Sequence, residues 1–171
     1  ISGAQALQQQ APFQVIVGEE IRTAEGGEVI GLFLKEKISQ GQQARDVVQE
    51  IRAQGGLVYL PHPFDLFRTK RWPETFRATL LQTADIIEIF NARSLTHGPG
   101  RRAEAAAVQL GKVACAGADA HFPQEIGPTM AFLAPFSTPE TFLTSLRNAH
   151  FQCRRSPLWA LPATKFVELT Q

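Results

Sequence analysis

Three short stretches carry the side chains best suited to metal chemistry: Asp119-Ala120-His121, Pro61-His62-Pro63 and Gly18-Glu19-Glu20. In an extended segment alternate residues share a side, so Asp119 and His121 present a carboxylate and an imidazole together. That pair suits two ligands of one metal cluster, or a carboxylate that orients a ligand histidine; an Asp capping the next turn beside an incidental His is the plainer alternative. Two prolines stiffen the loop around His62 and fix the angle of its ring, although an ordinary turn histidine is the other reading. If Gly18 bends the chain, Glu20 rather than Glu19 turns toward the same place; otherwise it is a solvated carboxylate. Glu88 sits inside an apolar run, where an unpaired carboxylate is costly, so it reaches a cation or faces a wet layer. Asn91 closes that run as a supporting hydrogen-bond group or as a turn cap. Arg68 and Arg93 follow two of these stretches by a few residues, as solvated arginines or as bidentate contacts to a phosphate. His97 and His150 read as ordinary surface residues.

Such groups meet only if the elements beneath them converge. Apolar runs at 13–17, 57–60, 86–90 and 113–116 are continuous rather than alternating, which suits strands covered on both faces. The run at 29–34 follows Glu25-Gly-Gly-Glu28 closely enough to return as an antiparallel strand. Helical patterns lie between: Ala44, Val47, Val48 and Ile51 share one face before Gly55-Gly56, and a second helix starts near Pro73 to bury Phe76, Leu80 and Leu81. An alanine-rich third runs from about residue 101 to 110 before Gly111, and Thr138 caps a fourth that buries Phe142, Leu143 and Leu146. Strand and helix alternate at roughly thirty-residue spacing, so parallel strands in one α/β layer or barrel are expected. Ligands then gather at the C-terminal strand ends, where such folds build their sites. The tail from Arg154 is one more strand, at 166–169, or a packed extension.

With 171 residues and 44% apolar content, one domain over 1–171 can bury a core. The formal charge of +1, without long runs of one sign, argues against a dedicated nucleic-acid-binding module while allowing a local phosphate pocket. Cys115 and Cys153 form no C-x-x-C pair, which points to a reducing, cytoplasmic setting. No stretch has the length to span a bilayer, and no membrane partner is expected.

The segments VIVGEEI (15–21), GEVIGLFL (27–34), GGLVYLPHPFD (55–65), DIIEIFNAR (85–93) and AGADAH (116–121) together resemble the PHP family of polymerase and histidinol phosphatase domains, in the family's order. The resemblance implies a distorted (β/α)7 barrel, here incomplete at its N-terminus, that holds two or three divalent cations, zinc, manganese or iron. It implies hydrolysis of a phosphate ester, of a small molecule or nucleotide, by a metal-bound hydroxide. By position, Glu20 matches the bridging carboxylate, His62 the central histidine ligand, and Asp119 and His121 the closing pair; His62, Asp119 and His121 thereby carry the catalytic role. The family's opening His-x-His and its Asp-His-Asp stretch are expected to precede Ile1, so the isolated chain is expected to bind metal weakly and hydrolyse slowly. A non-catalytic scaffold on a degenerate barrel is the alternative. Unpaired sheet edges favour a homo-oligomer under either reading.

Overall fold

The computed structural model describes residues 1–65, 72–157 and 159–160. Arg68 and the run at 166–169 lie outside the described residues. The chain opens with helix α1 (Ser2–Gln10), which buries none of its residues and for which the sequence offers no apolar stripe. Strands β1 (Gly18–Arg22) and β2 (Glu28–Leu32) form an antiparallel hairpin, and β2 pairs antiparallel with β3 (Leu57–Leu60). From there β3, β4 (Ile86–Asn91) and β5 (Val113–Gly117) run parallel, in the sheet order β1-β2-β3-β4-β5. Helices α2 (Ala44–Ala53), α3 (Glu74–Thr83) and α4 (Gly98–Leu110) supply the connections around the parallel part. Beyond a 3₁₀ turn at Pro123–Glu125, β6 (Met130–Phe132) and β7 (His150–Gln152) make a separate two-stranded sheet around α5 (Pro139–Arg147).

Two expectations are corrected here. No closed barrel forms among the described residues: β1 and β5 are both sheet edges, and closure would require the first and last strands to share hydrogen bonds. The first strand also begins at Gly18 instead of occupying 13–17, so Glu20 lies within an edge strand and not beyond the end of a parallel one. The antiparallel return of the 29–34 run, the three parallel strands and the four helices do form where the apolar patterns put them.

Opposite faces of the sheet feed separate cores, as strand alternation requires. Val58, Leu60 and Ile87 pack with Val47, Ile51, Leu80 and Ala103 beneath α2, α3 and α4. Leu57, Tyr59, Ile86 and Val113 pack on the other side with Phe142 and Leu146 of α5. With both faces covered, every residue of β3 is buried. Local chemistry sets the helix ends. Thr138 Oγ1 accepts from the Thr141 N–H at 3.2 Å to start α5, and Gly111 takes the left-handed conformation (φ 64°) that closes α4. Gly100 lets α4 lie against β4, because a Cβ there would meet the Ile89 carbonyl oxygen.

Candidate metal centre

Alternation along the hairpin explains the first part of the site. Glu20 pairs with Ile30 and Arg22 with Glu28, so Glu20 and Glu28 are diagonal neighbours on one sheet face, the face that also carries Ile30 and Leu32. Across the sheet His62 follows β3. Strand alternation would send residue 62 to the face of Val58 and Leu60, but its backbone is left-handed (φ 28°) despite the following proline, and the alternation breaks. One ligand atom from each of Glu20, Glu28 and His62 then lies within 4.8 Å of the others. His62 Nε2 stands 3.8 Å from Glu28 Oε2. The imidazole is buried, Glu28 half-buried and Glu20 exposed, so the group faces solvent on one side. Two carboxylates and an imidazole in mutual ligand reach form a donor set that suits a borderline divalent cation such as zinc, manganese or iron.

Behind this corner lies a second group, built on β4. A bulge between Glu88 and Phe90 shifts the register, so that Glu88 and Asn91, three residues apart, face the same place. Glu88 is only 5% exposed, and its carboxylate accepts from Tyr59 Oη at 2.9 Å, from the His62 backbone N–H at 2.8 Å and from Asn91 Nδ2 at 3.1 Å. Burial pushes its pKa up to about 7 against the opposing pull of the Asn91, Tyr59 and His62 hydrogen bonds, with the Asp119 charge adding to the rise. Asn91 Nδ2 also donates to Asp119 Oδ2 at 3.2 Å, tying the end of β4 to the loop after β5. Asp119 has a left-handed backbone (φ 50°), a second non-glycine residue of that kind at this site. A Cβ at Gly117 would collide with Glu88 Oε1, so a larger residue there would have to displace that carboxylate. Glu20, His62, Glu88, Asn91 and Asp119 all line one pocket of about 310 Å³, whose deeper wall is apolar and includes Ile86 and Phe142. Cys115 lines it too, and burial, with the Glu88 charge second, pushes its thiol pKa up to about 12.

His121 sits at the rim. Its Nδ1 lies 2.8 Å from the Asp119 carbonyl oxygen and 3.8 Å from Asp119 Oδ1. A carbonyl only accepts, so Nδ1 is the donor in that contact. Of the expected site residues, then, the fold brings Glu20, His62, Glu88, Asn91 and Asp119 to one pocket, with His121 bonded to its edge.

Arg93 departs from the expected phosphate contact. Its guanidinium is buried, with Nη1 3.1 Å from Glu125 Oε2 and Nη2 donating to the Ala160 carbonyl at 3.0 Å, so these bonds commit it to the interior. Glu125 also accepts the backbone N–H groups of His121 (2.9 Å) and Phe122 (3.1 Å), which makes the pair a brace for the loop that carries His121. Sequence reasoning missed Glu125, Gly117, Tyr59 and, chiefly, Glu28. The signal for Glu28 was available: once 29–34 is read as pairing with the segment holding Glu20, a period of two puts both carboxylates on one face.

Comparison with known proteins agrees with this frame. The family model described as PHP-associated matches residues 99–151. Two uncharacterised proteins of Methanocaldococcus jannaschii are each 37% identical, over 115 and 86 residues; these alignments take in 66% and 50% of this chain and 48% and 47% of the relatives. The chain thus spans about half the length of the curated relatives it matches. Among solved structures, a two-domain protein of Bacteroides vulgatus containing a predicted PHP-like metal-dependent phosphoesterase superposes with a TM-score of 0.65 at 21% identity, over 88% of this chain and 48% of that one. PsfC of Pseudomonas syringae PB-5123 gives 0.60 at 16% identity, over 90% and 65%. The resemblance read from the motifs is therefore met by a PHP-associated segment within the chain and by a mixed α/β fold with parallel strands like that of PHP-like proteins. Among the described residues no helix is long and apolar enough to cross a membrane.

Proposed function

We propose that this chain contributes part of the site of a metal-dependent phosphoesterase, with Glu20, Glu28 and His62 holding a divalent cation and Asp119 and His121 completing the rim. The observation that carries the reading is the triad of ligand atoms within 4.8 Å, set beside a hydrogen-bonded Glu88, Asn91 and Asp119 in the same pocket. When bound, such a cation offsets charge on the phosphoryl oxygens and acidifies a water. The protein's own groups do the rest. Glu88 holds the His62 backbone in its left-handed turn, Asn91 aims the Asp119 carboxylate, and the Asp119 carbonyl orients the His121 ring through Nδ1. The substrate class is a phosphate ester.

Metal content after dialysis against zinc or manganese, followed by calorimetric titration, tests the assignment. The wild-type chain is expected to take up about one cation, and Glu28→Gln or His62→Ala to weaken that uptake at least about tenfold. Glu28→Gln is the sharper variant, because Glu28 entered the site from geometry and not from the motif. Uptake that is absent, or indifferent to both substitutions, rejects the reading.

A further inference from the structure

On the far side of Asn91 from the proposed cation lies a second, larger cleft of about 440 Å³. Its walls are the end of β4, the loop into α4, and Arg155 from the segment after β7. The buried Asn91 lines both this cleft and the metal pocket, so the two adjoin at that residue. Arg101, Arg155, His97 and Thr96 line the cleft, with Glu104 as the one acidic residue of its lining. Arg155 is anchored, since its Nη1 donates to the Ser94 carbonyl at 2.6 Å, and its other donors make no side-chain bond among the described residues. The Arg101 side chain makes no hydrogen bond or ion pair among the described residues.

From this arrangement we infer that the cleft binds an oxyanion, a phosphate or carboxylate group of a small molecule, through Arg101 and Arg155. Two arginines on separate elements can offer paired N–H donors to one tetrahedral or planar anion from two directions, the geometry that guanidinium groups match best. Their two positive charges exceed the Glu104 charge, so the local balance is cationic although the whole chain carries only +1. The inference rests on the phosphoesterase reading for its biological sense: a substrate whose ester phosphorus sits by Glu20, Glu28 and His62 would extend past Asn91 and place an anionic group here. Its physical content is independent of the metal. It also supplies the arginine role that Arg93, committed to Glu125, leaves open.

The test is titration of the chain with inorganic phosphate in excess chelator, followed by calorimetry or chemical-shift perturbation. Saturable binding in the millimolar range is expected, weakened at least tenfold by Arg101→Gln and by Arg155→Gln and retained in His62→Ala. The Arg101 side chain is exposed and makes no hydrogen bond or ion pair among the described residues, so Arg101→Gln probes the site with little folding cost should Arg155→Gln disturb the loop. Phosphate that does not bind, or binds equally in Arg101→Gln, overturns the inference while leaving the cation measurement untouched. Binding lost in His62→Ala but kept in Arg101→Gln puts the anion in the other pocket and overturns it as well. Metal uptake that fails while phosphate still binds in an Arg101-dependent way leaves the anion site standing and removes only the phosphoesterase reading.

Discussion

Glu88 and Glu125 are both buried carboxylates tied to the end of β4, yet burial wins at one and loses at the other. At Glu88 burial dominates, and three hydrogen bonds leave the pKa near 7. At Glu125 burial also pushes upward, but the Ser156 hydroxyl, the His121 N–H, the Arg93 charge and the Phe122 N–H outweigh it and the pKa falls below the usual carboxylate range. The Arg93 positive charge at 3.1 Å adds to the larger lowering by the Ser156 and His121 hydrogen bonds, and no such charge stands beside Glu88 among the described residues. Around Glu88 the neighbouring charges have the same sign: Asp119 is bridged to it through Asn91, and Glu20 shares the pocket. One corner sets its carboxylate against a cation of the chain itself, and the other gathers carboxylates in the manner of a site that a cation completes. Two residues, Asn91 and Arg93, separate these outcomes.

The largest test of the contrast is Glu125→Ala. It strands the Arg93 guanidinium in a buried setting and removes the acceptor of two backbone N–H groups, so a loss of about 3–5 kcal/mol in urea unfolding is expected. A loss under about 1 kcal/mol would mean that the pair is surface-like in energy and the contrast is false. Next is Gly117→Ala, which drives a methyl group into Glu88 Oε1. Displacing that carboxylate should cost about 1–3 kcal/mol, and because it releases the His62 N–H, cation affinity should drop in the same variant. Gly98→Ala is the matched control, since a Cβ at Gly98 meets nothing within 4 Å. If both alanines behave alike, Gly117 is not what seats Glu88.

How much of this was legible beforehand follows from the range of the interactions. The parallel strands, the cap at Thr138 and the stop at Gly111 depend on neighbours a few residues away, and the sequence displays them directly. His62 and Asp119 stood out by residue type and setting, and both have unusual backbones in the fold. Glu28 and Glu125 were not visible in that way. Glu28 acquires its role from a hairpin register, and Glu125 from a contact with Arg93 thirty-two residues away. Arg93, read as a solvated arginine or a phosphate contact, is buried against Glu125 for the same reason: an arginine beside a ligand loop looks the same on paper whether it points outward or inward. The barrel expectation failed at the edges, since strand count and closure depend on which chain segments pair and not on the apolar runs themselves.

The smallest expected effect is the most discriminating. Glu88→Gln keeps the shape and two of the acceptor roles: the amide oxygen can accept from the His62 N–H and Asn91, while the amide nitrogen donates to a Tyr59 hydroxyl that has turned to accept. The substitution also deletes a charge that burial disfavours. Measured at pH 8 in chelator, its stability should therefore lie within about 1 kcal/mol of the wild type, whereas Glu125→Gln, facing Arg93, should lose several times as much. A loss of about 3 kcal/mol or more in Glu88→Gln would show that the Glu88 charge is supported from within the fold, as the Glu125 charge is. The acidic corner would then need no cation for its stability, and the argument from crowded carboxylates would give way to the ligand geometry of Glu20, Glu28 and His62 alone.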